Sequence, residues 1–276
     1  MAAAEKSTTV RSSSELPTAR AAKAADLDAL ADAFFRPRKA RALPRPEQAN
    51  AREWRTRTGR LTGWSWGSGA PMLLVHGWEG QANQMARIAE SVVARGFRAI
   101  ALDLPAHGGS DGTWASAVTF ADAIHHVVEQ EGRLSGLLAH SLGGAASGLA
   151  LSEGLEVDRV CLLSPVAEPT PFAAKLGRWA GLEDEQLPEL FAAIERRGGI
   201  SFANLYLPTR LLSLSAKLLV MHDPEDSEVP IEHGQAIARA APHGRLVPMT
   251  GVGHHRILED ALVVAAATDF LSGHEA

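Results

Sequence analysis

The sequence predicts an α/β fold, a doubly wound and mostly parallel sheet with helices on both faces. Three observations lead there. Short, largely apolar runs of four or five residues recur from residue 72 onward, separated by segments of helical periodicity. Strands apolar on both sides belong to sheets covered on both faces, the situation of parallel strands. One such run, residues 134–139, passes without a spacer into Ala139-His140-Ser141-Leu142-Gly143-Gly144 and a helical pattern. Finally, one interval, residues 165–215, carries no strand pattern and reads as an insertion.

The elements follow in order. A tail to residue 17 precedes a helical pattern over residues 21–35, with Leu27, Leu30, Ala31 and Phe34 near one face. Pro37, Pro44 and Pro46 then impose an extended connector. Residues 53–57 and 61–66 flank Thr58-Gly59 as a hairpin. Strands are expected at residues 72–75, 99–102, 134–139, 160–163, 218–221 and 246–249. Helices are expected near 84–95, 120–131, 142–152 and 231–240, and a last one carries Leu258, Leu262, Ala265, Ala266 and Phe270. Ligands of such a sheet bind beyond the carboxyl ends of its strands. The domain organisation expected is an N-terminal extension over residues 1–50 and one α/β domain over 51–276. Within it, the insertion at 165–215, bearing Phe172, Trp179, Phe191, Phe202 and Tyr206, reads as a small helical lid.

At 276 residues, 46% hydrophobic and 21% charged, the chain suits one large globular domain and not a disordered one. A net charge of −5 argues against a nucleic-acid partner held on a basic face. The charge is uneven: the first 60 residues hold 13 Lys/Arg against 7 Asp/Glu. The extension is therefore expected to lie on an acidic body, and removal of residues 1–45 is expected to leave the chemistry largely unaffected. The one cysteine, Cys161, excludes an internal disulfide or thiolate cluster and reads as a buried small hydrophobe. His125-His126 with Glu129 lacks the spacing of a zinc-binding helix, and no metal or cofactor is expected. No apolar run is long enough for a membrane span, and residues 1–15 lack the apolar stretch of a secretory signal. A cytoplasmic protein with no membrane partner is expected.

The junction at Ser141 carries the chemistry. A strand that turns directly into a helix forces the residue at the bend into strained dihedrals and needs small residues two positions away on both sides. Ala139 and Gly143 meet that need. Such a turn raises the Ser141 hydroxyl above the sheet and aims a helix N-terminus at it, where free amides favour negative charge.

With this elbow in hand, the chain resembles the α/β-hydrolase fold superfamily in its serine hydrolase branch, over about residues 60–272. Ala139 stands where glycine is commoner in the family's Gly-x-Ser-x-Gly. Residues 76–80, His76-Gly77-Trp78-Glu79-Gly80, resemble the family's oxyanion loop. The resemblance implies that the amides of Trp78 and Leu142 hold the oxyanion, with His76 bracing the loop. Asp103-Leu104-Pro105-Ala106-His107-Gly108 resembles a family turn that fixes the fold, which assigns Asp103 and His107 to structure. In His222-Asp223-Pro224-Glu225-Asp226, aligning Val229-Pro230 with the family pattern puts the acid at Asp226, with Asp223 as the alternative. Gly251-Val252-Gly253-His254 matches the family's Gly-x-Gly-His and makes His254 the base, with His255 its competitor. The resemblance thus implies the triad Ser141, Asp226 and His254 and a small-molecule carboxylic ester as substrate. Lactones, amides or peptides, thioesters and carbon–carbon bonds use the same triad, and a binding protein that kept the fold is the alternative of another class.

Overall fold

The computed structural model describes residues 26–38 and 40–274. The expected tail and the start of the first helical pattern lie outside the described residues. Helix α1 (Leu27–Phe34) begins at Asp26, whose carboxylate accepts from the Asp28 and Ala29 amides, groups the first turn cannot bond itself. Strands β1 (Asn50–Thr56) and β2 (Gly59–Trp66) pair antiparallel across Thr58-Gly59. Then come β3 (Pro71–Val75), α2 (Ala86–Ala94), β4 (Arg98–Leu102), α3 (Ala117–Glu131), β5 (Gly136–His140) and α4 (Leu142–Ser152). After β6 (Arg159–Leu163) the insertion contributes α5 (Thr170–Trp179), α6 (Leu187–Gly198) and α7 (Leu207–Arg210). The chain closes with β7 (Lys217–His222), α8 (Ile231–Ala240), β8 (Gly244–Pro248) and α9 (Ala261–Ser272).

The strands make one eight-stranded sheet in the order β1-β2-β4-β3-β5-β6-β7-β8. Strands β3 to β8 run parallel, and β2 is antiparallel to both of its neighbours. Because side chains alternate along a strand, β3 feeds both faces. Leu73 and Val75 join Phe120 and Ile124 of α3 and Leu149 of α4; Met72 and Leu74 join Ile88 of α2 and Phe270 of α9. This two-sided burial is the doubly wound arrangement expected.

Some boundaries differ from expectation for local reasons. The helix expected near 84–95 starts as a tight 3₁₀ turn, Ala82–Met85, before α2. The last apolar stripe is not one helix. Leu258 ends a 3₁₀ turn, Arg256–Leu258, and α9 restarts where the Asp260 carboxylate accepts the Leu262 and Val263 amides. Leu134 contributes only an isolated bridge to Val157, and β5 begins at Gly136.

The insertion holds helices and 3₁₀ turns, as its pattern implied. Pro171, Pro188 and Pro208 fall in the first turns of α5, α6 and α7, where a missing N–H costs nothing. A third apolar cluster joins Ala173, Leu187, Leu190 and Ile194 of these helices to Ala31 and Phe35 of the N-terminal segment. The charges at this contact are the reverse of those expected. Asp32 of α1 pairs with Arg197, and Asp28 lies 3.9 Å from Arg196, both at the end of α6. Among the described residues, the acidic α1 thus meets the basic last turn of α6.

Candidate active site

Ser141 occupies the bend between β5 and α4 with φ 52° and ψ −124°, a region that non-glycine residues rarely adopt. The strain is held by close packing. A Cβ on Gly143 would lie 2.3 Å from the His76 carbonyl oxygen, and one on Gly77 would lie 2.8 Å from the Ser141 Cβ. Both positions therefore need glycine for the loop of residues 76–80 to touch the bend at Ser141. Leu142 is the first residue of α4, so no carbonyl four residues back within the helix accepts its N–H.

Three side chains from separate elements meet here. His254 Nε2 lies 3.0 Å from Ser141 Oγ, and its Nδ1 lies 2.7 Å from Asp226 Oδ2. A carboxylate can only accept, so Nδ1–H donates to Asp226 and Nε2 is left to accept from the serine hydroxyl. Asp226 Oδ1 accepts the Glu228 and Val229 amides at 2.9 and 3.0 Å. Burial alone would raise the Asp226 carboxyl. The polar N–H of nearby His222, the hydrogen bond from His254 and the two amides outweigh it and hold the group well below the usual carboxylate range.

The alternatives go elsewhere. Asp223 accepts the amides of Glu225 and Gly253; it ties down the loop that carries His254 and does not contact the ring. His255 is two-thirds exposed and pairs with Glu228 at 2.7 Å.

The loop around Trp78 is braced on both sides. His76 Nδ1–H donates to the Gly77 carbonyl, and its Nε2 accepts the Leu104 amide. Burial, with the neighbouring His107, pushes the His76 imidazole down to about 3, so it is neutral near pH 7. His107 Nδ1–H donates to Pro105, and Nε2 accepts the Glu79 amide. The Asp103 carboxylate gathers Thr62, Ala82 and Gly109. Cys161 is buried in β6, and His125 and His126 are partly exposed on α3. Among the described residues no group of three His, Cys, Asp or Glu is arranged to hold a metal.

Sequence reading missed three contributors. His140 is buried, and its Nε2–H donates to the His254 carbonyl at 2.9 Å. Burial, then the nearby His254, pushes it down to about 3. His222 Nε2–H donates to the Val229 carbonyl and lies 3.5 Å from Asp226 Oδ2. The available signal was a histidine ending a buried strand beside each motif. The third contributor is the N-terminal segment. A cavity of about 910 Å³ opens on Ser141 and is walled by Trp78, Leu142, Phe172 and Leu176, and also by Phe34 and Phe35. A segment read from sequence as lying outside the site thus borders it.

The chain has relatives of known sequence and structure. Over 238 residues it is 25% identical to AB hydrolase superfamily protein YisY of Bacillus subtilis (strain 168), across 70% of this chain and 88% of that one. A stretch of 82 residues is 35% identical to the non-heme chloroperoxidase CPO-A1 of Kitasatospora aureofaciens, across 29% of this chain and 30% of that one. Among solved structures, an esterase of Pyrococcus furiosus matches with a TM-score of 0.67 at 18% identity, covering 87% of this chain and 97% of that one. Est1E of Butyrivibrio proteoclasticus, solved with ferulic acid, matches with a TM-score of 0.64 at 20% identity, covering 80% and 97%. At such identities these two structures speak for the fold. Residues 72–267, well over half the chain, match the Alpha/beta hydrolase family, and the chain belongs to that family.

Proposed function

We propose that this protein is a serine hydrolase that cleaves carboxylic esters of small-molecule substrates through an acyl-enzyme. The observation that carries this reading is the unbroken hydrogen-bond chain from Asp226 through His254 to Ser141 Oγ at the floor of a cavity. Ser141 Oγ attacks the ester carbonyl while His254 Nε2 takes its proton. Asp226 keeps the ring in the tautomer that leaves Nε2 free and stabilises the imidazolium formed. The Trp78 and Leu142 amides receive the oxyanion; loss of one such donor costs about 10²–10³ in turnover. His254 then hands its proton to the departing alcohol. Water, deprotonated by the same nitrogen, attacks the acyl-Ser141 and releases the acid.

A panel of nitrophenyl esters, lactones and peptide amides tests the bond type. Ester turnover that disappears in Ser141→Ala and in His254→Ala, both still folded, is the expected result. Turnover confined to lactones or amides would move the substrate class and leave the nucleophile in place. Among the described residues no helix is long and apolar enough to cross a membrane, and one lone buried thiol, Cys161, needs no oxidising compartment. A cytoplasmic site of action is part of the same proposal.

A further inference from the structure

Resting on that reading, we propose that residues 26–38, which precede the stretch matched by the family, form the substrate-selecting wall of the site. The wall selects esters whose apolar arm, alkyl or aryl, is much larger than acetyl. Four observations place the segment there. Phe34 and Phe35 line the cavity that holds Ser141, together with Leu142 and with Phe172 and Leu176 of α5. Phe35 is buried, stacks on Trp114 with ring centroids 4.8 Å apart, and its carbonyl accepts the Ala115 amide at 2.8 Å. A Cβ on Gly198 would come within 2.8 Å of the Phe35 ring, so α6 ends on a glycine where this side chain packs. Beyond the phenylalanines, the Arg38 guanidinium and amide grip Glu79, the residue after Trp78.

These contacts differ in weight. Arg38 is nearly fully exposed, and solvent-screened pairs of this kind contribute little. Anchorage therefore falls on Phe35, and Phe34, partly buried at the cavity, is free to meet substrate. The cavity volume lies near the top of the range for small-molecule sites, far more than an acetyl group fills. Beside Arg36 and Arg38 its lining includes Phe34, Phe35, Phe172 and Leu176, and Trp179, also in the lining, is 84% exposed. A large apolar arm leaving Ser141 would cover that indole and be removed from water itself. Of the segment's two arginines at the cavity, Arg38 pairs with Glu79, and Arg36 lies 3.6 Å from Asp32, a carboxylate it shares with Arg197. Both guanidinium groups are solvent-exposed, so the selection falls on apolar bulk at Phe34.

The test uses the full chain and nitrophenyl esters from two to twelve carbons. The readout is the ratio of kcat/KM for the octanoate to that for the acetate. Wild type should favour the octanoate. Phe34→Trp, which narrows the cavity at this wall, should lower the ratio at least tenfold, and Phe34→Ala should move the optimum to longer or bulkier chains. Deletion of residues 1–38 should flatten the profile by raising KM for the long esters. Labelling of Ser141 by a small organophosphonate is measured on each protein, so that a misfolded variant is recognised and the Phe34 variants decide. A ratio within twofold of wild type in labelled Phe34→Trp and Phe34→Ala overturns the inference alone. Failure of folded wild type to label overturns the serine hydrolase reading and the inference with it; labelling without turnover of any ester overturns the ester substrate class and the inference, and leaves Ser141 as the nucleophile.

Discussion

Both oxygens of Asp226 are occupied: Oδ1 by two backbone amides, Oδ2 by the His254 ring, with His222 3.5 Å away. That leaves the carboxylate one orientation and His254 one tautomer. Asp226→Asn presents an amide where a pure acceptor is needed, and turnover should fall by about 10⁴ without unfolding, the size of loss expected when the wrong tautomer is enforced. Asp223→Asn keeps an acceptor for the Gly253 amide and should lose less than about tenfold. Steady-state kinetics on one ester separate the two, and equal losses would move the acid to Asp223. Local sequence carried much of this. Ser141, His254 and Asp226 lie within two residues of a glycine or proline whose spacing is visible in one dimension. His140 and His222 were not legible, because a histidine at the end of an apolar strand looks like any buried ring until its partner, arriving from a hundred residues away or across a turn, is known.

At the scale of elements, the Glu131 side chain ties α3 to the sheet's antiparallel edge. The Glu131 carboxylate, nearly buried, accepts Trp54 Nε1–H at 2.7 Å, pairs with Arg98 at 2.7 Å and also holds Arg52. Burial alone would raise it; Trp54 and the two arginines hold it below its usual range. Glu131→Ala strands both guanidinium groups and the indole N–H and should cost about 2 kcal/mol in urea unfolding. Because α3 faces the site only through its first turn, kcat should change less than twofold. A stability loss below about 0.5 kcal/mol would show the network to be ornamental. Strands were legible here because buried parallel strands read as bare apolar runs. The restart of α9 at Asp260 was less so, since the apolar stripe continues across it and only the cap breaks the helix. The contact of α1 with α6 was hidden, because the extension's net charge is basic while the aspartates of α1 are what meet Arg196 and Arg197.

Across the whole molecule, buried imidazoles link stability to pH; burial pushes down His107 and His233 as well as His76 and His140. His76 and His140 are held at about 3 against an ordinary value of about 6.5 in the unfolded chain. Between those values the unfolded state binds the protons, so stability is full above about pH 6.5 and falls as pH drops towards 3. Each histidine contributes a slope of about 1.4 kcal/mol per pH unit inside that window. Asp226, depressed below the usual carboxylate range, adds a further loss only as pH falls below about 4. Urea unfolding at pH 7, 6 and 5 should show the decline, with a shallower slope in His140→Asn; a flat profile would mean that these rings are solvated. The doubly wound sheet and the edge of it where ligands bind could be inferred from the α/β pattern, but which side chains wall the cavity depended on where an N-terminal segment folds back, a long-range contact that periodicity does not record.

The central claim is that a single hydroxyl, Ser141, is activated by His254. Its most direct measurement is peptide mapping by mass spectrometry after treatment with an organophosphonate. One adduct per chain on Ser141, absent in His254→Ala at the same exposure, is the expected result. A folded protein that takes up no adduct, or takes it up elsewhere, would contradict the account.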